Sequence, residues 1–210
     1  DIAPEFDTFF AVDGDELESV LVNNGFQTVL TSPDLPSGTD RIFEANQKLK
    51  RSKVINVQAD EPLVSREHIT SLLNAINRSE QSSMATLAVP FADDESFKDR
   101  NQVKVVLDQR GYALYFSRLP IPAFREKLNF DDFQKFEYKP LKHLGMYAYT
   151  GEFLEKFSNF PPTCLERIEK LEQLRALEMG VKISVSIVQS GTIGIDVPED
   201  LRKLDELSSA

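Results

Sequence analysis

Three short apolar runs, each followed by a helical pattern, constrain this chain most. Residues 9–12, 28–30 and 54–57 read as strands. After the first, residues 16–24 carry Leu17, Val20 and Leu21 on one face, and Gly25 stops the helix. After the second, Ser37-Gly38-Thr39-Asp40-Arg41 opens a helix that bears Ile42, Phe43 and Ala45. After the third, Ser65 suits the N-cap of a helix bearing Ile69, Leu72, Leu73 and Ile76. Alternation of this kind predicts a parallel sheet with crossover helices.

The second half departs from that rhythm. Residues 84–89 read as a strand. Residues 103–107 and 112–116 flank Asp108-Gln109-Arg110-Gly111, a hairpin signal. Leu119-Pro120-Ile121-Pro122 lacks the donors of a central strand. Residues 126–140 are rich in Phe and charge without a clean period, and read as an excursion or lobe. Another strand is expected at 144–149. Thr163 and Glu166 form a capping box for one helix carrying Leu165, Ile168, Leu171, Leu174 and Leu177, which Gly180 ends. A last strand follows at 183–188, and Pro198 starts a terminal helix. The fold class expected is α/β: a mixed, mostly parallel sheet flanked by helices, with an inserted hairpin-bearing lobe at about residues 101–150 of a single 1–210 domain.

Charge narrows the partners. Lys and Arg total 24 and Asp and Glu total 34, a formal net charge of −10, which argues against a nucleic-acid polymer but not against a nucleotide. No apolar run approaches the ~20 residues of a membrane span, and no charged-then-apolar leader pattern occurs, so the expectation is a cytoplasmic protein. Cys164 is the only cysteine, which excludes an intrachain disulfide and a cysteine metal cage. It reads as a small core or helix-start residue.

Four stretches invite chemistry. Gln58-Ala59-Asp60-Glu61-Pro62 closes the apolar run Val54-Ile55-Asn56-Val57. It is either a solvated turn or a carboxylate at a strand end, where open α/β sheets bind ligands and where magnesium beside phosphate would need oxygen donors. Asp196, in Gly194-Ile195-Asp196-Val197-Pro198, is either an N-cap or a second such carboxylate. Arg118 and Arg125 bracket the proline segment and are either surface residues or bidentate partners for an acidic ligand. Ser37-Gly38-Thr39 is either a simple cap or a set of amides open to an anion. His68 reads as a surface residue beside Glu67, and His143 as lying just before a strand. No spacing supports a zinc site or a Ser-His-Asp triad.

Taken in order, these blocks resemble the 3-deoxy-manno-octulosonate cytidylyltransferase family, which has a nucleotide-diphospho-sugar transferase-like fold. The resemblance rests on Ser37-Gly38-Thr39-Asp40-Arg41, Asn56-Val57-Gln58-Ala59-Asp60-Glu61-Pro62 and Met84-Ala85-Thr86-Leu87-Ala88-Val89. It continues through Val103-Lys104-Val105-Val106, Tyr112-Ala113-Leu114-Tyr115-Phe116-Ser117-Arg118 and His143-Leu144-Gly145-Met146-Tyr147, then Leu171-Glu172-Gln173-Leu174-Arg175 and Asp196-Val197-Pro198-Glu199-Asp200. The resemblance implies attack of the anomeric hydroxyl of the acidic sugar Kdo on the α-phosphate of CTP, with pyrophosphate leaving. It implies two Mg2+ ions on Asp60 and Asp196, one polarising the sugar oxygen and α-phosphate and one on the triphosphate. It implies a sugar pocket of Gln58, Arg118, Arg125, His143, Tyr147, Glu172 and Gln173, and cytidine neighbours Ser37, Gly38, Thr39 and Arg41. A homodimer is implied as well. Related CMP-sugar synthetases, of the 8-amino-Kdo or sialic acid type, are the alternatives.

Two departures accompany the resemblance. Ala59 stands where the family has Gly. The family also begins with a strand and loop carrying Pro-Ala-Arg, Ser-x-Arg and Gly-Lys-Pro around the triphosphate, and this sequence starts just before what would be the second strand. The expectation is that the natural protein has that segment; the alternative is a shortened, inactive relative.

Overall fold

The computed structural model describes residues 5–58, 64–78 and 82–191. Its elements follow the order β1 (Phe10–Val12), α1 (Asp15–Asn23), β2 (Thr28–Leu30), α2 (Gly38–Leu49), β3 (Lys53–Asn56), α3 (Arg66–Ile76) and β4 (Met84–Pro90). Then come α4 (Asp94–Lys98), β5 (Lys104–Leu107), β6 (Ala113–Ser117), a 3-10 turn (Phe130–Phe136) and β7 (Leu141–Thr150). The described part closes with α5 (Gly151–Ser158), α6 (Cys164–Glu169), α7 (Gln173–Glu178) and β8 (Ile183–Ile187). Residues 59–63, with Asp60, and the segment from 192 onward, with Asp196 and the expected terminal helix, lie outside the described residues.

β1 and β2 form a parallel pair. The larger sheet runs β6-β5-β7-β4-β8, with β3 also on β7. β4 and β8 are parallel, while β7 is antiparallel to β3, β4 and β5. Thus, within this sheet, β3, β4, β5 and β8 share one direction and β6 and β7 oppose it. The α/β sheet flanked by helices is the expected class. What chain order does not show is that β7, entering late, separates the consecutive strands β3 and β4.

Both faces of this sheet are covered, so β4 is buried without alternation from Met84 to Ala88. Met84 and Ala88 of β4, with Tyr149 of β7, pack with Phe153, Leu154 and Phe157 of α5 and Leu174 of α7. Ala85 and Leu87, with Met146 and Ala148, pack on Leu72, Ala75 and Ile76 of α3. Residues 126–140 do form an excursion. Its aromatics cluster: Phe97 of α4 lies 5.4 Å from Phe91 and 5.6 Å from both Phe130 and Phe133.

Local chemistry explains several boundaries. Ser37 caps α2 by accepting from the Asp40 N–H at 3.2 Å. The hairpin turn is pinned by the Asp108 carboxylate, which accepts from the N–H groups of Arg110 (2.8 Å) and Tyr112 (2.9 Å), and Gly111 supplies φ 82°. Gly151 opens α5 where a Cβ would come 2.6 Å from the Arg51 carbonyl, so the helix can start there only without a side chain.

The structure corrects three readings. His68 is buried, not a surface residue: its Nδ1 accepts from the Ser65 N–H at 3.0 Å, and its Nε2 lies 2.9 Å from the Ser190 carbonyl. With both nitrogens partnered, burial carries no orphaned polar group. His143 lies inside β7, because that strand begins at Leu141. The helix expected after Thr163 is two, because Lys170 adopts φ 54°, ψ 49° and ends α6. Cys164 opens α6 and is exposed, while α4 and α5 had no counterpart in the sequence reading.

Candidate active site

The large sheet parts along one edge of β7. β3 pairs there with residues 147–150, and β5 with Leu141 and Lys142. Between them, Leu144, Gly145 and Met146 have no neighbouring strand on that edge among the described residues. On the opposite edge Thr86 pairs with Tyr147 while Leu87 pairs with Leu144, so β7 bulges at Gly145 and Met146. A cavity of about 540 Å³ opens at this gap. Its walls include Gln58 beyond β3, residues 99 and 101–103 before β5, His143 and Tyr147 on β7, and residues 170–173 from the end of α6 into α7.

Beyond Lys142, the β7 wall is made of buried and half-buried neutral groups. His143 is 8% exposed, and burial pushes its imidazole down to about 3, so it is neutral at ordinary pH. Its ring stands edge-on to Phe116 at 5.0 Å and lies 5.4 Å from Tyr147. Burial, aided by the charge of Glu172, pushes the Tyr147 and Tyr149 hydroxyls up, so both stay protonated. Glu172, at the start of α7, accepts from the Thr39 hydroxyl at 2.6 Å. That bond joins the first turn of α2 to the opposite wall.

A knot of charged groups on main-chain carbonyls sets the break before Glu172. The Arg118 guanidinium donates to the carbonyls of Glu169 (2.7 Å), Arg100 (3.1 Å) and Lys170 (3.3 Å). The Glu169 carboxylate accepts in return from the Ser117 hydroxyl (2.8 Å) and the Arg118 N–H (3.0 Å). The buried Lys104 ammonium donates to the carbonyls of Asp99 (2.6 Å) and Arg118 (2.8 Å), and burial lowers its pKa. Helix C-terminal carbonyls lack intrahelical partners and favour cations, which is why Arg118 settles at the end of α6. The loop at residues 99–103 is thereby fastened to the chain that presents Glu172 and Gln173.

The sequence candidates therefore separate. Thr39, Gln58, His143, Tyr147, Glu172 and Gln173 line one cavity. Arg118 faces main-chain carbonyls beside it, and Arg125 is exposed; neither is among the cavity's lining residues. Ser37 caps α2, and a Cβ on Gly38 would lie 3.4 Å from the Gln58 amide. Arg41 donates to Thr31 Oγ1 (2.7 Å) and Asp13 (2.8 Å), tying α2 to the β1–β2 pair.

Sequence reasoning missed Asp99, Asn101, Gln102, Lys142 and Lys170, which also line the cavity. The polar run Asp99-Arg100-Asn101-Gln102 directly before an apolar strand was the available signal.

Asp60 and Asp196 lie outside the described residues, but the segments leading to them reach this site. Gln58 lines the cavity, and a Cβ on Gly191 would lie 3.8 Å from the side chain of Leu144, another lining residue. His68 bridges the two segments through Ser65 and Ser190. Carboxylates are the hard oxygen donors that Mg2+ takes, so the chemistry of these two residues suits that ion.

Residues 2–183 match the family model described as cytidylyltransferase. A 3-deoxy-manno-octulosonate cytidylyltransferase of Thermodesulfovibrio yellowstonii is 43% identical over 203 residues, covering 93% of this chain and 78% of its own length. An 8-amino-3,8-dideoxy-manno-octulosonate cytidylyltransferase of Shewanella putrefaciens is 41% identical over 206 residues, covering 96% and 81%. A solved structure of CMP:2-keto-3-deoxy-manno-octonic acid synthetase complexed with CTP superposes with a TM-score of 0.89 at 32% identity, covering 99% of this chain and 83% of that one.

Proposed function

We propose that this chain, which belongs to the cytidylyltransferase family, transfers CMP from CTP to the anomeric hydroxyl of Kdo and releases pyrophosphate. The observation that carries this reading is the single cavity uniting Gln58, His143, Tyr147, Glu172 and Gln173, five residues that the family resemblance assigns to an acidic sugar. Lys142 and Lys170 in the same lining supply positive charge for an anionic ligand. Neutral His143 and Tyr147 and the fixed Glu172 carboxylate supply the donors and acceptors that sugar hydroxyls need. Holding sugar and nucleotide in one orientation is the chain's own main contribution to such a transfer. Asp60 and Asp196 are the residues that would hold magnesium, which when bound neutralises phosphate charge. A homodimer and a cytoplasmic location belong to the same reading; among the described residues no helix is long and apolar enough to cross a membrane.

The test is pyrophosphate release with CTP, Mg2+ and either Kdo or its 8-amino analogue. The chain is assayed alone and with a relative's N-terminal segment joined ahead of Asp1. Turnover with Kdo supports the reading, and turnover only with the amino sugar moves it to the variant named for the Shewanella relative. Silence with both sugars in both forms overturns it. Asp60→Asn is expected to abolish turnover without lowering the melting temperature; surviving turnover would sink the metal assignment.

A further inference from the structure

Thr86 is fully buried in β4, opposite the bulge in β7. Its hydroxyl oxygen lies 2.7 Å from the Met146 carbonyl, 3.1 Å from the Leu144 carbonyl and 2.9 Å from His143 Nε2. A hydroxyl has one proton to give, and carbonyl oxygens only accept. If that proton went to Nε2, the lone pairs of the hydroxyl would face two carbonyl oxygens at short range with nothing between them. The proton therefore goes to a carbonyl, Met146 being the nearer. The ring must then donate: Nε2–H to Thr86 Oγ1, and Oγ1–H to the Met146 carbonyl.

A neutral imidazole carries one N–H, so this arrangement leaves Nδ1 bare. The ring is buried against Phe116, with burial alone holding its pKa at about 3, so a doubly protonated form is not populated near neutrality. Nδ1 has no hydrogen-bond partner among the described residues, and His143 lines the cavity.

We propose that Thr86 is a positioning residue that fixes His143 as its Nε2–H tautomer and so turns Nδ1 into an acceptor for a hydroxyl or ammonium group of the cavity's ligand. A bare Nδ1 repels a carboxylate. On the sugar reading above, on which only the ligand's identity rests, a sugar hydroxyl and not the acid group meets His143. The sequence gives no sign of this, because Thr86 sits in an otherwise apolar strand.

The chain has two histidines, so nitrogen-15 imidazole spectra are simple, and His143→Gln assigns the signals. Expected for the free protein between pH 6 and 8 is a protonated Nε2 and an unprotonated Nδ1 on His143. A protonated Nδ1 overturns the proposal whether or not the protein turns over sugar. Thr86→Val should give a mixture of tautomers and raise KM for the sugar about tenfold or more, with KM for CTP little changed. Thr86→Ser, which keeps the hydroxyl, should restore both. An unaltered tautomer and KM in Thr86→Val also overturn it. Should that variant not fold, the wild-type spectrum still decides. If the spectrum is as expected but no sugar is turned over, the proposed function fails and the tautomer assignment stands.

Discussion

The six-stranded sheet and the β1–β2 pair are made from similar apolar runs, yet they leave those residues in opposite environments. Every residue from Met84 to Ala88 is buried, with helices on both faces. In α1 no residue is buried: Leu17, Val20 and Val22 are 50%, 53% and 54% exposed, and Phe26 beyond it is 50% exposed. Polar contacts do much of the fastening there. Thr31 donates twice to the Val12 carbonyl, at 2.7 and 2.8 Å, and Arg41 reaches Asp13. An apolar face stabilises only when a second layer covers it. The cavity walls on β7 and α7 hang from the covered sheet. α2 is the joint between the two regions, held to the wall by Thr39 and to the β1–β2 pair by Arg41.

The sharpest break should come from Arg175→Met. Arg175 holds Glu166 at 2.8 and 2.5 Å, reaches the Phe157 and Phe160 carbonyls, and lies 4.5 Å from the centre of the Phe157 ring. Burial pushes the Glu166 carboxyl up, but Arg175 and the Thr163 N–H outweigh it and hold the net pKa below the ordinary value. Removing the guanidinium strands a buried carboxylate, at a cost of about 3–5 kcal/mol by denaturant unfolding. A loss under about 1 kcal/mol would mean that this pair is not a keystone of the large unit.

A smaller effect should follow pH. The folded pKa of His143, about 3, lies below the unfolded value of 6.5, so the unfolded chain binds the extra proton first as pH falls. That stability is fully present above pH 6.5 and is lost progressively toward pH 3. Between pH 6.5 and 5 the wild type should lose about 2 kcal/mol more than His143→Gln. Parallel pH curves for the two proteins would show that His143 is not buried as described.

The smallest effect is expected in α1. Leu17→Ser should change stability by no more than about 1 kcal/mol, because the side chain is already half exposed and little burial is lost. A loss above about 2 kcal/mol would reveal a covering layer on this face and remove the contrast between the two regions.

Much of this was legible locally. The Ser37 and Ser65 caps, the Gly25, Gly111 and Gly180 turns and the Glu166 bond back to the Thr163 N–H all depend on contacts a few residues apart. So does the apolar run of β4, whose composition already announces two covered faces. His68 was misread because its decisive partner, Ser190, is 122 positions away. The long helix was misread because its periodicity runs through Lys170, and Ile168 keeps the apolar period while being 71% exposed. α6 ends at the left-handed Lys170, and the carbonyl before it is held by the guanidinium of Arg118, 51 positions earlier.

The sequence by itself determined the described strands, the helices α1 to α3, the acidic motif after β3 and the family, since each is carried by residue identity and order. Only the tertiary structure decided that β7 parts from β3 and β5 to open a cavity. It alone showed that Arg118 spends its fork on main-chain carbonyls and that Thr86 meets the His143 ring across the bulge. Those outcomes depend on which groups meet across a sheet edge, and hydrogen bonding at such meetings is set by geometry that no local pattern encodes.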